Sequence, residues 1–314
     1  MAVTWLAPTD VTPGGLTGWQ DVDNASVPNG AIAVLVRVRQ TDAAATQAVG
    51  LRKNGSTDNR IMNQRESHTW AMIGVDGDGI FEVYRANAAV SYYLFGYVGS
   101  NATFQTNAND ISENVTFGSF VDVNIATITG AETAIAACCE FEGGANDGFG
   151  VRKNGSTDNR VSSLTRRHVW VCIGVDASEI FEQNVESGTM NTFLNGWLTA
   201  DATLNNNAAD RSLTGVNTWT NLTALPSGAT GGIYEIWKSG TTTGLNYGLR
   251  RNGDGEDVLS PQVTSHAWGL VEASALIVQG QIEDLSIDFW EVGYFTAAAA
   301  ADELLQSRRM ISVP

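Results

Sequence analysis

At 314 residues with 43% hydrophobic side chains, the chain has length for two or three domains with cores of their own. It carries 34 acidic against 18 basic residues, and a net charge of −16 repels phosphate backbones and anionic lipid, which argues against nucleic acid and membrane surfaces as partners. No apolar run approaches the ~20 residues that span a bilayer.

The opening MAVTWLAPTD has neither the basic n-region nor the apolar h-region of a signal peptide, so synthesis in the cytoplasm is expected. Trp19, in GWQDV, precedes a turn signal at Val27-Pro28-Asn29-Gly30. AIAVLVRVRQ then puts Val34, Val36 and Val38 on one side and Leu35, Arg37 and Arg39 on the other, which predicts a strand with one wet face or edge. GLRKNGSTDNR starts at Gly50 and holds the hairpin dipeptide Asn54-Gly55. HTWAMIGVD, from His68, is apolar on both faces, as a central strand would be. Asp76-Gly77-Asp78-Gly79 turns the chain again, Ile80-Phe81-Glu82 follows, and Gly96-Tyr97 closes the stretch.

The series then restarts, and self-similarity at a long fixed period outranks local signals. GVRKNGSTDNR starts at Gly150 and differs from the first copy only in Val151 for Leu51; Gly248, Arg250, Asn252 and Gly253 are a third, looser copy. His68 and Trp70 recur as His168 and Trp170 and as His266 and Trp268, while Trp19 aligns with Phe120 and Trp219. Three units follow, at 1–100, 101–200 and 201–314. About six to eight short strands per unit, without helical periodicity, predict an all-β chain of three tandem antiparallel β-sandwiches, jelly-roll-like. Thr296 to Met310 breaks the pattern: an alanine run ending in Arg308 and Arg309 predicts a C-terminal helix, either a lid on the last sandwich or an arm for a neighbour.

The repeated loop singles out Arg52, Asn54, Asp58 and Arg60, then Arg152, Asn154, Asp158 and Arg160, then Arg250 and Asn252. Asn-Gly followed by short polar residues is strong turn chemistry, with Arg52 aimed at a sheet face where Asp58 or another carboxylate pairs with it. A structural hairpin, a repeated contact surface and recent duplication all account for the near-identity. The three histidines all sit in His-x-Trp pairs that a strand places on one face; a structural histidine beside a packed tryptophan outweighs a metal site shared around a pseudo-threefold axis. Asp76-Gly-Asp78-Gly and Asn252-Gly-Asp254-Gly-Glu256 resemble fragments of calcium loops but lack the full ligand pattern. Cys138, Cys139 and Cys172 are expected as small buried hydrophobes. No G-x-S-x-G, Walker, H-E-x-x-H or Rossmann pattern occurs, so no catalytic residue, metal or cofactor is expected.

Units of the form GWQDVDNASVPNGAIAVLVRV, then GLRKNGSTDNR, then a late FGYV resemble the sandwich repeats of tailed-bacteriophage tail-fibre and capsid-surface proteins. That resemblance spans all three units, rests on generic sandwich grammar and implies a non-enzymatic virion protein, decorating or reinforcing a capsid or tail. Its implied partners are major capsid or tail proteins and further copies of itself. The alternative is an adhesin or tail-fibre module gripping a host surface glycan, for which Trp197, Trp237 and Tyr97 are candidate platforms. A polysaccharide depolymerase is a minor third reading.

Overall fold

The alternating and two-sided apolar runs form strands throughout. This computed structural model describes residues 3–42, 46–64, 67–112, 116–143, 147–164, 168–239, 245–255, 259–262 and 266–297. The segment expected as a helix lies outside the described residues apart from Thr296, which ends the last strand, and Ala297.

Unit 1 contains β1 (Val3–Asp10), β2 (Trp19–Val22), β3 (Ala33–Gln40), β4 (Gln47–Lys53), β5 (Met62–Gln64), β6 (Ser67–Gly74), β7 (Phe81–Arg85) and β8 (Val90–Val98). Unit 2 repeats them as β9 (Ala102–Asp110), β10 (Val121–Asn124), β11 (Ala136–Glu142), β12 (Asp147–Lys153), β13 (Ser162–Leu164), β14 (His168–Gly174), β15 (Ile180–Val185) and β16 (Asn191–Leu198). Unit 3 follows with β17 (Ala202–Asp210), β18 (Thr220–Asn221), β19 (Ala229–Lys238), β20 (Leu245–Arg251), β21 (Ser260–Gln262), β22 (His266–Glu272), β23 (Val278–Ile282) and β24 (Ile287–Thr296).

Each unit pairs two four-stranded antiparallel sheets: β1-β8-β3-β6 with β2-β7-β4-β5 in unit 1, and the same order in units 2 and 3. Sheet orders 1-8-3-6 and 2-7-4-5 define a jelly roll, so the expected three tandem sandwiches are present. The Asn-Gly hairpins turn as their chemistry requires, with Gly55, Gly155 and Gly253 at φ 77°, 78° and 81°.

One expectation needs correction. Val34, Val36 and Val38 do face the core of their own sandwich, beside Ala71, Ile73 and Phe81. The opposite face of β3, expected to be wet, is also covered: Leu35 is 0% and Arg37 6% exposed. The other units cover it. Ala33, Leu35, Trp70 and Met72 belong to a second core that continues into units 2 and 3. Strands β6, β14 and β22, which carry the His-x-Trp pairs, pack on one another pairwise, so the three sandwiches close into a triangle about a pseudo-threefold axis.

Candidate functional site

Within each of the first two units the repeated arginine is fixed from two sides. Arg52 donates to both carboxylate oxygens of Glu82 at 2.8 and 2.9 Å, and its guanidinium lies 4.1 Å from the centre of the Trp19 ring. Arg152 does the same with Glu182 and Phe120, while Arg250 uses Gln279 and Trp219. Asp58 contributes its backbone carbonyl to Arg52, not its carboxylate. The carboxylate that pairs is therefore Glu82. Asn54 donates to Asp76 at 2.6 Å and Asn154 to Asp176 at 2.6 Å, tying the hairpin to the next turn. Asp76 also accepts from its own turn at Asp78 and Ile80, which is the structural use of that calcium-like fragment.

The rest of the loop reaches into the following unit. Asn107 of β9 accepts from the Ser56 hydroxyl and the Thr57 backbone N–H at 2.9 and 2.8 Å, and the Ala108 N–H donates to Asp58 at 2.8 Å. Lys53 donates to the Phe104 carbonyl at 3.0 Å. Arg60 crosses the seam to Glu140 at 2.8 Å, is held from behind by Asp58 at 3.0 Å, and lies 4.4 Å from the centre of the Phe193 ring. A Cβ on Gly74 would stand 2.7 Å from that of Phe104, so this close approach needs glycine.

The seam between units 2 and 3 repeats the set. Ser156 and Thr157 meet Asn207, Ala208 N–H meets Asp158, and Lys153 meets Leu204. Arg160 meets Glu235 at 2.6 Å over the Trp290 ring, and Gly174 receives Leu204. The near-identity of two polar loops is thus matched by two nearly identical joints.

The His-x-Trp pairs serve the same seams. His168 lies 3.3 Å from Glu140 and His266 2.5 Å from Glu235, beneath the incoming arginines. His266 also contacts the Phe149 carbonyl of unit 2 at 3.2 Å, and Trp268 packs on the Phe149 ring. Burial drives Glu140 up to about 7, with Arg60 opposing, and drives His168 down to about 3, with Arg60 assisting. His68 is held well below the usual imidazole range by burial and then by Arg37 and Arg39. Among the described residues no group of three or more His, Cys, Asp and Glu could hold a metal ion. All three cysteines are free and buried.

The third seam, between unit 3 and unit 1, keeps the His-x-Trp pair but departs from the rest of this set. Opposite the tryptophan of each His-x-Trp pair stand Glu140 and Glu235 in units 2 and 3, but Arg37 in unit 1. Arg37 lies 5.2 Å from the centre of the Tyr93 ring, the counterpart of Phe193 and Trp290, which the other seams cover with a neighbour's arginine. In sequence, Val258 takes the place of Arg60, Asp254-Gly255 that of Ser56-Thr57, and Ala7-Pro8 that of Asn107-Ala108. Proline has no N–H to offer a hairpin carboxylate. Glu272 stands where Gly74 and Gly174 receive their neighbours, and pairs at 3.2 Å with Arg251 in place of a seam lysine. What joins this seam is aromatic: Trp5 lies edge-on to Phe295, Trp70 packs on Tyr247, and the Tyr247 hydroxyl donates to the His68 carbonyl.

A cavity of about 540 Å³ opens there, lined by Trp5, Ala7, Arg37 and Tyr93 of unit 1 and by Arg251, Asn252, Asp254 and Glu272 of unit 3, among others. A cavity of about 230 Å³ lies at the seam of units 2 and 3, beside Lys153 and Leu204. Of the expected glycan platforms, Trp197 is buried and donates to Glu132, whereas Trp237 and Tyr97 are half-buried and do not line the larger cavity. Trp5, Tyr93, Glu140 and Glu235 escaped the sequence reading; aligning the units position by position at Arg37, Glu140 and Glu235 is the signal that finds the seam.

No family model matches the chain and no curated protein matches it. Among solved structures it is similar to the N-terminal CBM22-1–CBM22-2 tandem domain of Paenibacillus barcinonensis Xyn10C, at 10% identity and a TM-score of 0.13, over 63% of this chain and 98% of that one. A likeness that slight carries no argument about fold or function.

Proposed function

We propose that the chain is a non-enzymatic structural protein of a tailed-phage virion, set on the surface of a capsid or tail. The observation that supports this reading is the closed triangle: one polypeptide presents three related sandwich faces around a pseudo-threefold axis. A body of that shape matches threefold or pseudo-threefold positions on a particle, and its repeated polar residues join its own units. The mechanism is mechanical. A protein that binds the assembled shell and not its free subunits stabilises the shell by mass action.

Quantitative mass spectrometry of purified native particles tests the proposal. Copies in the hundreds place the protein on the capsid lattice, and a handful place it on the tail or portal vertex. Absence from particles overturns the reading.

A further inference from the structure

We propose that the cavity at the third seam is a binding site for a neutral saccharide. The inference goes beyond a structural role and stands without it.

The volume, about 540 Å³, falls within the roughly 300–1,000 Å³ of small-molecule sites. Its two walls differ in kind. Unit 1 supplies aromatic surface: Trp5 is stacked on Phe95 at 6.2 Å and braced edge-on by Phe295 at 5.8 Å, which fixes its ring as a platform. Its Nε1 is buried and has no acceptor among the described residues. Unit 3 supplies polar surface, in which the Arg251–Glu272 pair, Asn252 and Asp254 combine planar donors and acceptors. A pyranose has the same division, with an apolar C–H face and a rim of hydroxyls that both donate and accept.

Charge selects the class of sugar. Among the described lining residues, two arginines, Arg37 and Arg251, stand with two carboxylates, Asp254 and Glu272, so the lining is balanced, while Arg250 turns its guanidinium away to Trp219 and Gln279. The surrounding chain, at −16, repels anions. An uncharged polyol satisfies such paired groups without leaving a charge over. The other two seams place a Ser-Thr pair and, on the receiving strand, an Asn-Ala pair at the corresponding positions; here Asp254-Gly255 and Ala7-Pro8 stand instead.

The test is isothermal titration of the full chain with a panel of neutral mono- and disaccharides, including galactose, N-acetylglucosamine, lactose and cellobiose, against glucuronate. The expected result is binding of at least one neutral sugar, with glucuronate about tenfold weaker or more. Glu272→Gln is expected to weaken that binding about fivefold or more while leaving the unfolding midpoint in place, because its partner Arg251 is half exposed. Ala7→Trp, at an exposed position on the cavity wall, is expected to abolish it. The proposal is overturned by no binding across the panel at millimolar concentration, by glucuronate binding as tightly as the neutral sugars, or by unchanged binding in Ala7→Trp.

Discussion

Two of the three seams are sealed by charge and one is not. Between units 1 and 2 and between units 2 and 3, a hairpin carries an arginine across to a buried carboxylate, and an asparagine on the receiving strand secures the hairpin. Between units 3 and 1 the carboxylate is Arg37, the asparagine is Ala7, and aromatic contacts frame a cavity. The backbone repeats three times while the chemistry of the joint repeats twice. Topology and interface therefore separate: the jelly roll sets where the units can touch, and a few side chains decide whether they lock.

The sharpest way to break the contrast is to strip a sealed seam of its carboxylate. Glu235→Ala leaves Arg160 buried without its main partner, and a loss of about 3–5 kcal/mol is expected by chemical denaturation. Pairing it with Arg160→Met is expected to recover most of that loss; a single variant costing under about 1 kcal/mol sinks the claim that this pair locks the seam.

Acidity probes the same joint. Glu140 keeps its proton in the folded chain up to about 7 but loses it near its ordinary value when unfolded, so its contribution to stability falls as pH rises through that window. His168 stays neutral down to about 3 while the unfolded imidazole protonates below about 6.5, so its contribution falls as pH drops. The two oppose each other at mildly acidic pH. Relative to the parent, Glu140→Gln is expected to lose stability on acidification below about 6.5, and His168→Gln to lose it as pH rises from about 4.5 towards 7, each with a slope of up to about 1.4 kcal/mol per pH unit. Denaturation midpoints measured across pH decide this, and profiles parallel to the parent in both variants count against opposing titrations at this seam.

Steric closeness gives a third handle. Gly174→Ala places a methyl 2.6 Å from the Leu204 Cβ and is expected to cost about 1–3 kcal/mol in a calorimetric scan. At the open seam the corresponding residue is already glutamate. Arg251→Ala there, removing a half-exposed ion pair, is expected to cost about 0–1 kcal/mol, and a larger loss would show that this seam too depends on charge.

Much of this was legible in the sequence. Period-2 alternation in Val34, Val36 and Val38, turn chemistry at Asn54-Gly55 and recurrence of His-x-Trp gave three sandwiches. Arg52 and Trp19 each recur in the sequence, but the stacking of one on the other shows only in the structure. What stayed hidden was the second burial of β3. A strand buried on one face by the facing sheet of its own sandwich and on the other by other units still alternates, so Arg37 read as a solvent residue. Closure of the triangle depends on contacts between residues as far apart as His68 and Tyr247, which no local pattern encodes. The loss of the lock is written only in differences between copies, such as Ala7-Pro8 against Asn107-Ala108, and a search for likeness passes over them.

Covalent linkage of the three units has a consequence for divergence. A homotrimer built from one copy of the sandwich has identical contacts at all of its interfaces, so a substitution that frees one frees them all. Here the third contact closes within a single molecule, at an effective concentration the linkers set, and it needs little affinity of its own to stay shut. In a covalently joined ring one edge can lose its lock without the ring falling open, which leaves that edge able to carry a task that cohesion does not dictate.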